Sequence, residues 1–369
     1  MRILNKFHKQ FERSSSRISR RLQRIPIGGV PPGLTFDQLA ELCLLHLGEP
    51  LKHVAYVHLS RWKAAGAYRL LLKTSRGRSW RLIYKNAIYS LDHIPGLAGL
   101  PIIPGLPEYL IYSNAQNALA QYLPEIYLCS EVIPGKHYQF LLEDLSDRYW
   151  LATRQPEIVL GLAAKLPALS RAISESVVFN QDRLLQYDYK FSILAQEYIR
   201  KNLEYYAERT ASEAAVKVCK SWTEIFEMHA NRELHQLKST CIIHGDPNPS
   251  NILIHRKKHL RRIKFIDWEW AGFGSTHADL ASLIKEANPE IKQQALTIFS
   301  KQDNRLSFKE HKRLYEWCQL ERTLLDASYL AAQQQIDTLS STTKSDTWVP
   351  QYIEKSLHRA LHAYQTLAQ

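Results

Sequence analysis

The chain has 369 residues, 45% of them hydrophobic, and a formal net charge of +12. That length supports two lobes with a sizeable core. No apolar run approaches the roughly 20 residues needed to cross a bilayer, which excludes a helical membrane protein. The five cysteines are odd in number, scattered and without metal-ligand spacing, and predict a reducing, cytoplasmic compartment.

Much of the charge lies at the start. Residues 1–30 hold eight Lys/Arg against Glu12, contributing +7 and leaving +5 for the rest. Leu4, Phe7, Phe11, Ile18, Leu22 and Ile25 recur at helical spacing with basic residues between them. This amphipathic pattern in residues 1–25 suits peripheral contact with an anionic membrane; the alternative is a solvated leader. No continuous apolar h-region follows, against a secretory signal, although the Arg/Ser-rich, acid-poor composition also resembles a transit peptide. The Gly/Pro-rich IGGVPPGLTF stretch (27–36) predicts a linker, giving an arm and linker over 1–34 and a folded body from about Thr35.

From Thr35 a short helix is expected over TFDQLAELCLLHL, followed by three antiparallel strands with turns near Ala65-Gly66 and Arg76-Gly77. The Pro/Gly-rich stretch 94–107 leads into a helix over EYLIYSNAQNALAQYL, in which Ile111, Ala115, Ala118, Leu119 and Tyr122 share a face. A strand pair ending in QFLLEDLSD completes a first lobe at 35–145. A mainly helical second lobe runs over 146–369, with a polar loop at 337–348. The fold class is therefore α+β, and nothing repeats.

The helical part is interrupted by CIIHGDPNPSNILIHRKKHLRRIKFIDWEWA (241–271), read as loop, strand, basic turn and strand. A hairpin here brings Asp246 and Asn251 at one end close to Asp267 at the other. Converging carboxylates at the edge of an apolar sheet need cations, and oxygen ligands of this type suit Mg²⁺. The turn containing His255 and His259 reads as a solvated basic tip, and Trp268 and Glu269 as packing or hydrogen-bonding residues.

His244-Gly245-Asp246 with Asn251, followed by Ile266-Asp267-Trp268-Glu269, resembles the catalytic loop and metal motif of the aminoglycoside phosphotransferase and choline kinase-like enzymes. The resemblance spans about 40–365 and implies a bilobal protein-kinase-like fold. It makes Asp246 the catalytic base, Asn251 and Asp267 magnesium ligands, His244 a loop-ordering residue and Asp279 a brace for the loop. It also implies ATP and Mg²⁺ as cofactors and a small-molecule acceptor, phosphorylated on a hydroxyl or amine.

In the first lobe, Lys85 at the end of WRLIYK and Glu108 at the start of the next helix match the phosphate-gripping ion pair of kinases, although Lys85 also reads as a strand-end surface lysine. FLLEDLS resembles the hinge, with backbone groups from Leu142 to Leu145 meeting adenine; its Glu143 and Asp144 can equally be solvated turn acids. Gly66 stands alone where protein kinases carry several glycines. Leu166-Pro167 replaces the Leu-His pair of many relatives, which puts in question how the second lobe packs on the catalytic loop. DFG, APE and an arginine before Asp246 are absent, which favours a small-molecule acceptor over a protein. A nucleotide-binding pseudokinase and an electrostatic scaffold are the competing readings. No nucleic-acid motif is present, so a nucleic-acid partner is not expected.

Overall fold

In the computed structural model, residues 26–59, 65–88, 105–114, 117–176, 185–186, 189–229, 241–339 and 348–368 are described. The predicted helix of the arm and most of the 94–107 connection lie outside them. The chain divides into two compact units, one of Met1–Tyr89 with Glu125–Asp144, the other of Ser90–Pro124 with Leu145–Gln369. No helix among the described residues is long and apolar enough to cross a membrane.

The first unit is an antiparallel six-stranded sheet in the order β1-β2-β3-β4-β6-β5. Its strands are β1 (Ile27–Gly28), β2 (Leu51–His58), β3 (Ala65–Thr74), β4 (Ser79–Ile88), β5 (Ile126–Ile133) and β6 (His137–Glu143). Alternation makes one face apolar: Val54, Leu72, Leu70 and Leu82 are buried, with Val54 paired to Leu72 and Leu70 to Leu82. Helix α1 (Phe36–Leu47) covers that face with Leu39 and Cys43. Thr35 caps it, and Gln38 completes the capping box, so two otherwise orphaned N–H groups are satisfied where the sequence predicts the start. Each fully buried leucine contributes about 1.5–3 kcal/mol.

Two expectations need correction here. The stretch read as a linker belongs to the sheet: Ile27 pairs with Tyr56 and Gly28 with Ala55. The Gly33 carbonyl accepts the Gln139 amide at 2.7 Å. A Cβ on Gly33, at φ +90°, would come within 2.7 Å of the Tyr84 hydroxyl, so glycine permits this crossing. In addition, residues 90–124, read as part of the first lobe, group with the helical unit. Phe265 donates its amide to the Tyr122 carbonyl at 2.7 Å, and the Lys264 ammonium donates to the carbonyls of Ala120 and Leu123.

The second unit is mainly helical. Its long helix α11 (Phe308–Leu339) packs Leu320, Leu324, Ala327 and Ala331 into a buried cluster with Ile353, Leu357 and Ala360 of α12 (Trp348–Ala368). A small sheet holds β7 (Tyr149–Leu151), β10 (Ile252–His255) and β11 (His259–Phe265) in the order β11-β10-β7. The helix that begins with Leu166-Pro167 is held to the strand before the catalytic loop by two serines. In α5 (Leu166–Ser176), Ser170 donates to the Ile242 carbonyl and Ser174 accepts the Ile242 amide, each at 3.3 Å, which holds α5 to β9 (Cys241–Ile243).

Candidate functional site

β10 and β11 form the expected hairpin, with Ile252 opposite Phe265 and Ile254 opposite Ile263, all four buried. Its basic turn is shorter than expected, because pairing resumes at His259. At the open end the Ile266 amide donates to the Asn251 carbonyl at 3.0 Å, holding the start of one strand beside the exit of the other. The loop between β9 and β10 carries His244, Asp246 and Asn251 along this end.

The loop's path depends on Gly245, whose φ is +82° and whose Cβ, if present, would lie 1.9 Å from the Trp270 carbonyl oxygen. Asn248 then caps the single turn Pro249–Asn251 by accepting the Ser250 amide at 2.9 Å. Asp279, in the first turn of α9 (Thr276–Ile284), accepts the amides of His244 and Gly245 at 3.0 and 2.8 Å. Burial pushes the Asp279 carboxyl up to about 7, against the lowering effect of those two amides.

His244 is fully buried, and burial holds it down at about 4, so the ring is neutral at pH 7. Its Nε2 faces the Ile266 carbonyl at 3.1 Å and must donate, since a carbonyl only accepts. Nδ1 is then the acceptor for the Asp246 amide at 3.3 Å. One ring thus joins the loop to the strand exit. Trp268 is buried against it, with ring centroids 4.3 Å apart, and donates Nε1–H to the Phe265 carbonyl at 3.3 Å.

The Asp246 carboxylate is held from both sides. Oδ1 accepts the Ser282 hydroxyl at 2.8 Å and lies 3.0 Å from Arg322 Nη2; Oδ2 accepts Nδ2 of Asn248 at 2.8 Å and of Asn251 at 3.3 Å. Burial alone would raise this carboxyl, but Arg322, Lys285 and the Ser282 hydroxyl outweigh it and hold Asp246 below the ordinary carboxylate range. It is ionised at neutral pH.

Asp267 adopts φ +67°, a left-handed conformation that few non-glycine residues take and that tends to occur at functional sites. Ligand atoms of Asp267, Glu269 and the buried Glu108 lie within 4.8 Å of one another. At that spacing each like-charged pair costs about 3.5 kcal/mol for an effective dielectric near 20, which cations must offset. An all-oxygen donor set fits a hard divalent ion such as Mg²⁺.

Asp246, Asn251, Asp267, His244, Glu108 and Leu145 thus belong to the helical unit, and Lys85, Gly66 and Glu143 to the sheet unit. Leu145 is buried, and its carbonyl accepts the amides of Arg148 and Tyr149. Lys85 is not at a strand end: β4 continues to Ile88, and Lys85, half-buried, pairs with Ala67 and Phe140. Gly66 is the second residue of β3, where a Cβ would meet the Tyr68 ring at 2.6 Å. Glu143 pairs with Leu82 and turns its carboxylate back to the Glu125 amide at 3.3 Å. Asp144 is not a solvated turn acid: its side chain is 2% exposed and lies 2.7 Å from Arg69 Nε.

Ser282, Lys285, Arg322 and Asp326 escaped the sequence reading. Ser282 had a signal, lying one helical turn after Asp279 on the same face. Arg322 and Asp326, four apart on a long helix, carry no sequence signal that distinguishes them from an ordinary surface pair.

Residues 115–299 match the model of a phosphotransferase enzyme family. Among solved structures, the fold resembles a spectinomycin phosphotransferase in complex with ADP and spectinomycin (14% identity, 90% of this chain and 99% of that one, TM-score 0.53). It also resembles a microcompartment-associated aminopropanol kinase (13%, 90% and 98%, 0.55) and an ethanolamine kinase of Plasmodium vivax (13%, 90% and 97%, 0.51). No curated protein sequence matches. These likenesses bear out the α+β, kinase-like bilobal expectation.

Proposed function

Because the chain belongs to the phosphotransferase enzyme family, we propose that it moves the γ-phosphoryl group of ATP, with Mg²⁺, to a hydroxyl or amine of a small molecule in the cytoplasm. The observation that carries this reading is a base held ionised on a braced loop: Asp246 between Arg322 and Ser282, on backbone fixed by Asp279. Asp246 orients the acceptor and takes up its proton. His244, neutral, keeps the loop on the strand exit by donating to Ile266. Asn251 and Asp267 would hold the magnesium ion, with Glu269 and Glu108 beside Asp267. When bound, Mg²⁺ neutralises the charge of the phosphates.

Lys85 of the sheet unit grips the nucleotide phosphates, Gly66 lies in the phosphate loop, and backbone groups from Leu142 to Leu145 meet the base; Glu108, expected from the sequence as the partner of Lys85, belongs to the helical unit. Spectinomycin, ethanolamine and aminopropanol, named with the related structures, are the first acceptors to screen. The test is paired calorimetry and turnover. Asp246→Asn should lower turnover by about 10² while ATP–Mg²⁺ affinity changes little. Asp267→Asn should lower both, with partial recovery in excess Mg²⁺. Wild-type turnover in Asp246→Asn would remove the mechanism.

A further inference from the structure

Arg322 stands on α11, whose opposite face is packed into the buried cluster with α12, so its backbone is rigid. Its guanidinium spans three partners. Nη1 donates to the Gly245 carbonyl at 2.8 Å, Nη2 lies 3.0 Å from Asp246 Oδ1, and Nε lies 3.1 Å from Asp326 Oδ1. Asp326 is held in turn by the Lys285 ammonium at 3.2 Å from its other oxygen. The Trp270 ring, 5.6 Å from the guanidinium carbon, bounds one side.

We propose that Arg322 is a positioning residue for phosphoryl transfer: its planar fork locks the Gly245 backbone and the Asp246 carboxylate into one body, and Asp326 with Lys285 aims the fork. Ser282 and Asn248 hold the carboxylate through neutral, single hydrogen bonds to one oxygen each. Arg322 alone of these three joins the carboxylate to the main chain of the residue before it, and it does so with charge-assisted geometry that a lysine, as a point charge, reproduces only in part. Reaction rates respond steeply to such placement, an error of about 1 Å costing on the order of 10². The inference rests on the phosphotransferase reading.

The test measures ATP–Mg²⁺ turnover with spectinomycin, ethanolamine or aminopropanol, and with water as acceptor through phosphate release. Arg322→Gln should lower kcat by about 10² while KM for ATP stays within about twofold, since the nucleotide is not what Arg322 holds. Arg322→Lys should recover part of kcat, as should guanidinium added to Arg322→Ala. Asp326→Asn, which does not touch Asp246, should lower kcat by about tenfold through misaiming. Wild-type kcat in Arg322→Gln overturns the proposal. So does a joint loss of kcat and ATP affinity that neither lysine nor guanidinium repairs, which would mark a structural role. If Arg322→Gln does not fold, Asp326→Asn decides, and wild-type kcat in it overturns the proposal. Absence of transfer by the wild type to every acceptor and to water removes the phosphotransferase reading itself, a failure distinct from unchanged turnover in the variants.

Discussion

Asp279 Oδ1 accepts the Gly245 amide at 2.8 Å, tying the first turn of α9 to a loop 34 residues earlier in the chain. Its other oxygen takes the His244 amide at 3.0 Å. Asp279→Asn keeps one acceptor and turns an NH₂ toward the second N–H, leaving a buried donor unsatisfied. The expected cost is about 1–3 kcal/mol in urea unfolding, with a fall in turnover. An unchanged unfolding midpoint would show that the brace contributes nothing.

Gly245→Ala tests the loop's path. The left-handed φ costs roughly 1–2 kcal/mol for an alanine. Beyond that, its Cβ would lie 1.9 Å from the backbone oxygen of Trp270, which cannot move aside as a side chain could. A destabilisation of about 3 kcal/mol or more, or failure to fold, is expected by denaturant titration. A variant as stable as the wild type would contradict this backbone geometry.

Stability should fall as pH drops below 6.5. Burial holds His244 at about 4 and His277 at about 3, whereas both titrate near 6.5 once unfolded. Between those values the unfolded chain binds more protons than the folded one, so acid favours unfolding. His277 also sits in a directional chain: Ser275 Oγ lies 2.8 Å from its Nδ1, its Nε2 lies 2.9 Å from His311 Nδ1, and His311 Nε2 lies 2.7 Å from the Asp303 carbonyl. Asp279, raised to about 7, acts in the opposite sense, but two histidines outweigh one carboxyl over this window. Thermal melts should give a Tm that falls from pH 6.5 toward 4.5 and falls less steeply in His277→Gln. A flat wild-type profile would refute the assignment.

Truncation should separate the arm from the sheet. Removing residues 1–25 should leave Tm unchanged, whereas removing 1–33 also deletes the β1 pairing, the Gly29 amide bond to the Val54 carbonyl and the Gln139 bond to Gly33. At about 1 kcal/mol per hydrogen bond, the longer deletion should cost on the order of 2–3 kcal/mol. Co-sedimentation with anionic vesicles tests the arm itself: equal binding with and without residues 1–25 would exclude it as a membrane contact.

The local features of this protein are legible in its sequence because short-range physics determines them. The capping box at Thr35 and Gln38, the alternation in the sheet, and the hairpin whose ends bring Asn251 beside Ile266 all follow from spacing of two to four residues. The motif around Asp246 and Asp267 is local as well, and its resemblance to a known family is borne out by the family match. Tertiary structure decided the rest. Arg322 and Asp246 are 76 positions apart, and only the packing of α11 on the helical core brings the guanidinium to the loop. Likewise, Glu108 precedes Asp267 by 159 residues, yet their ligand atoms lie within 4.8 Å. The Gly/Pro stretch before Thr35 read as a linker because its hydrogen bonds go to residues such as Val54 and Gln139, partners that no local pattern reveals.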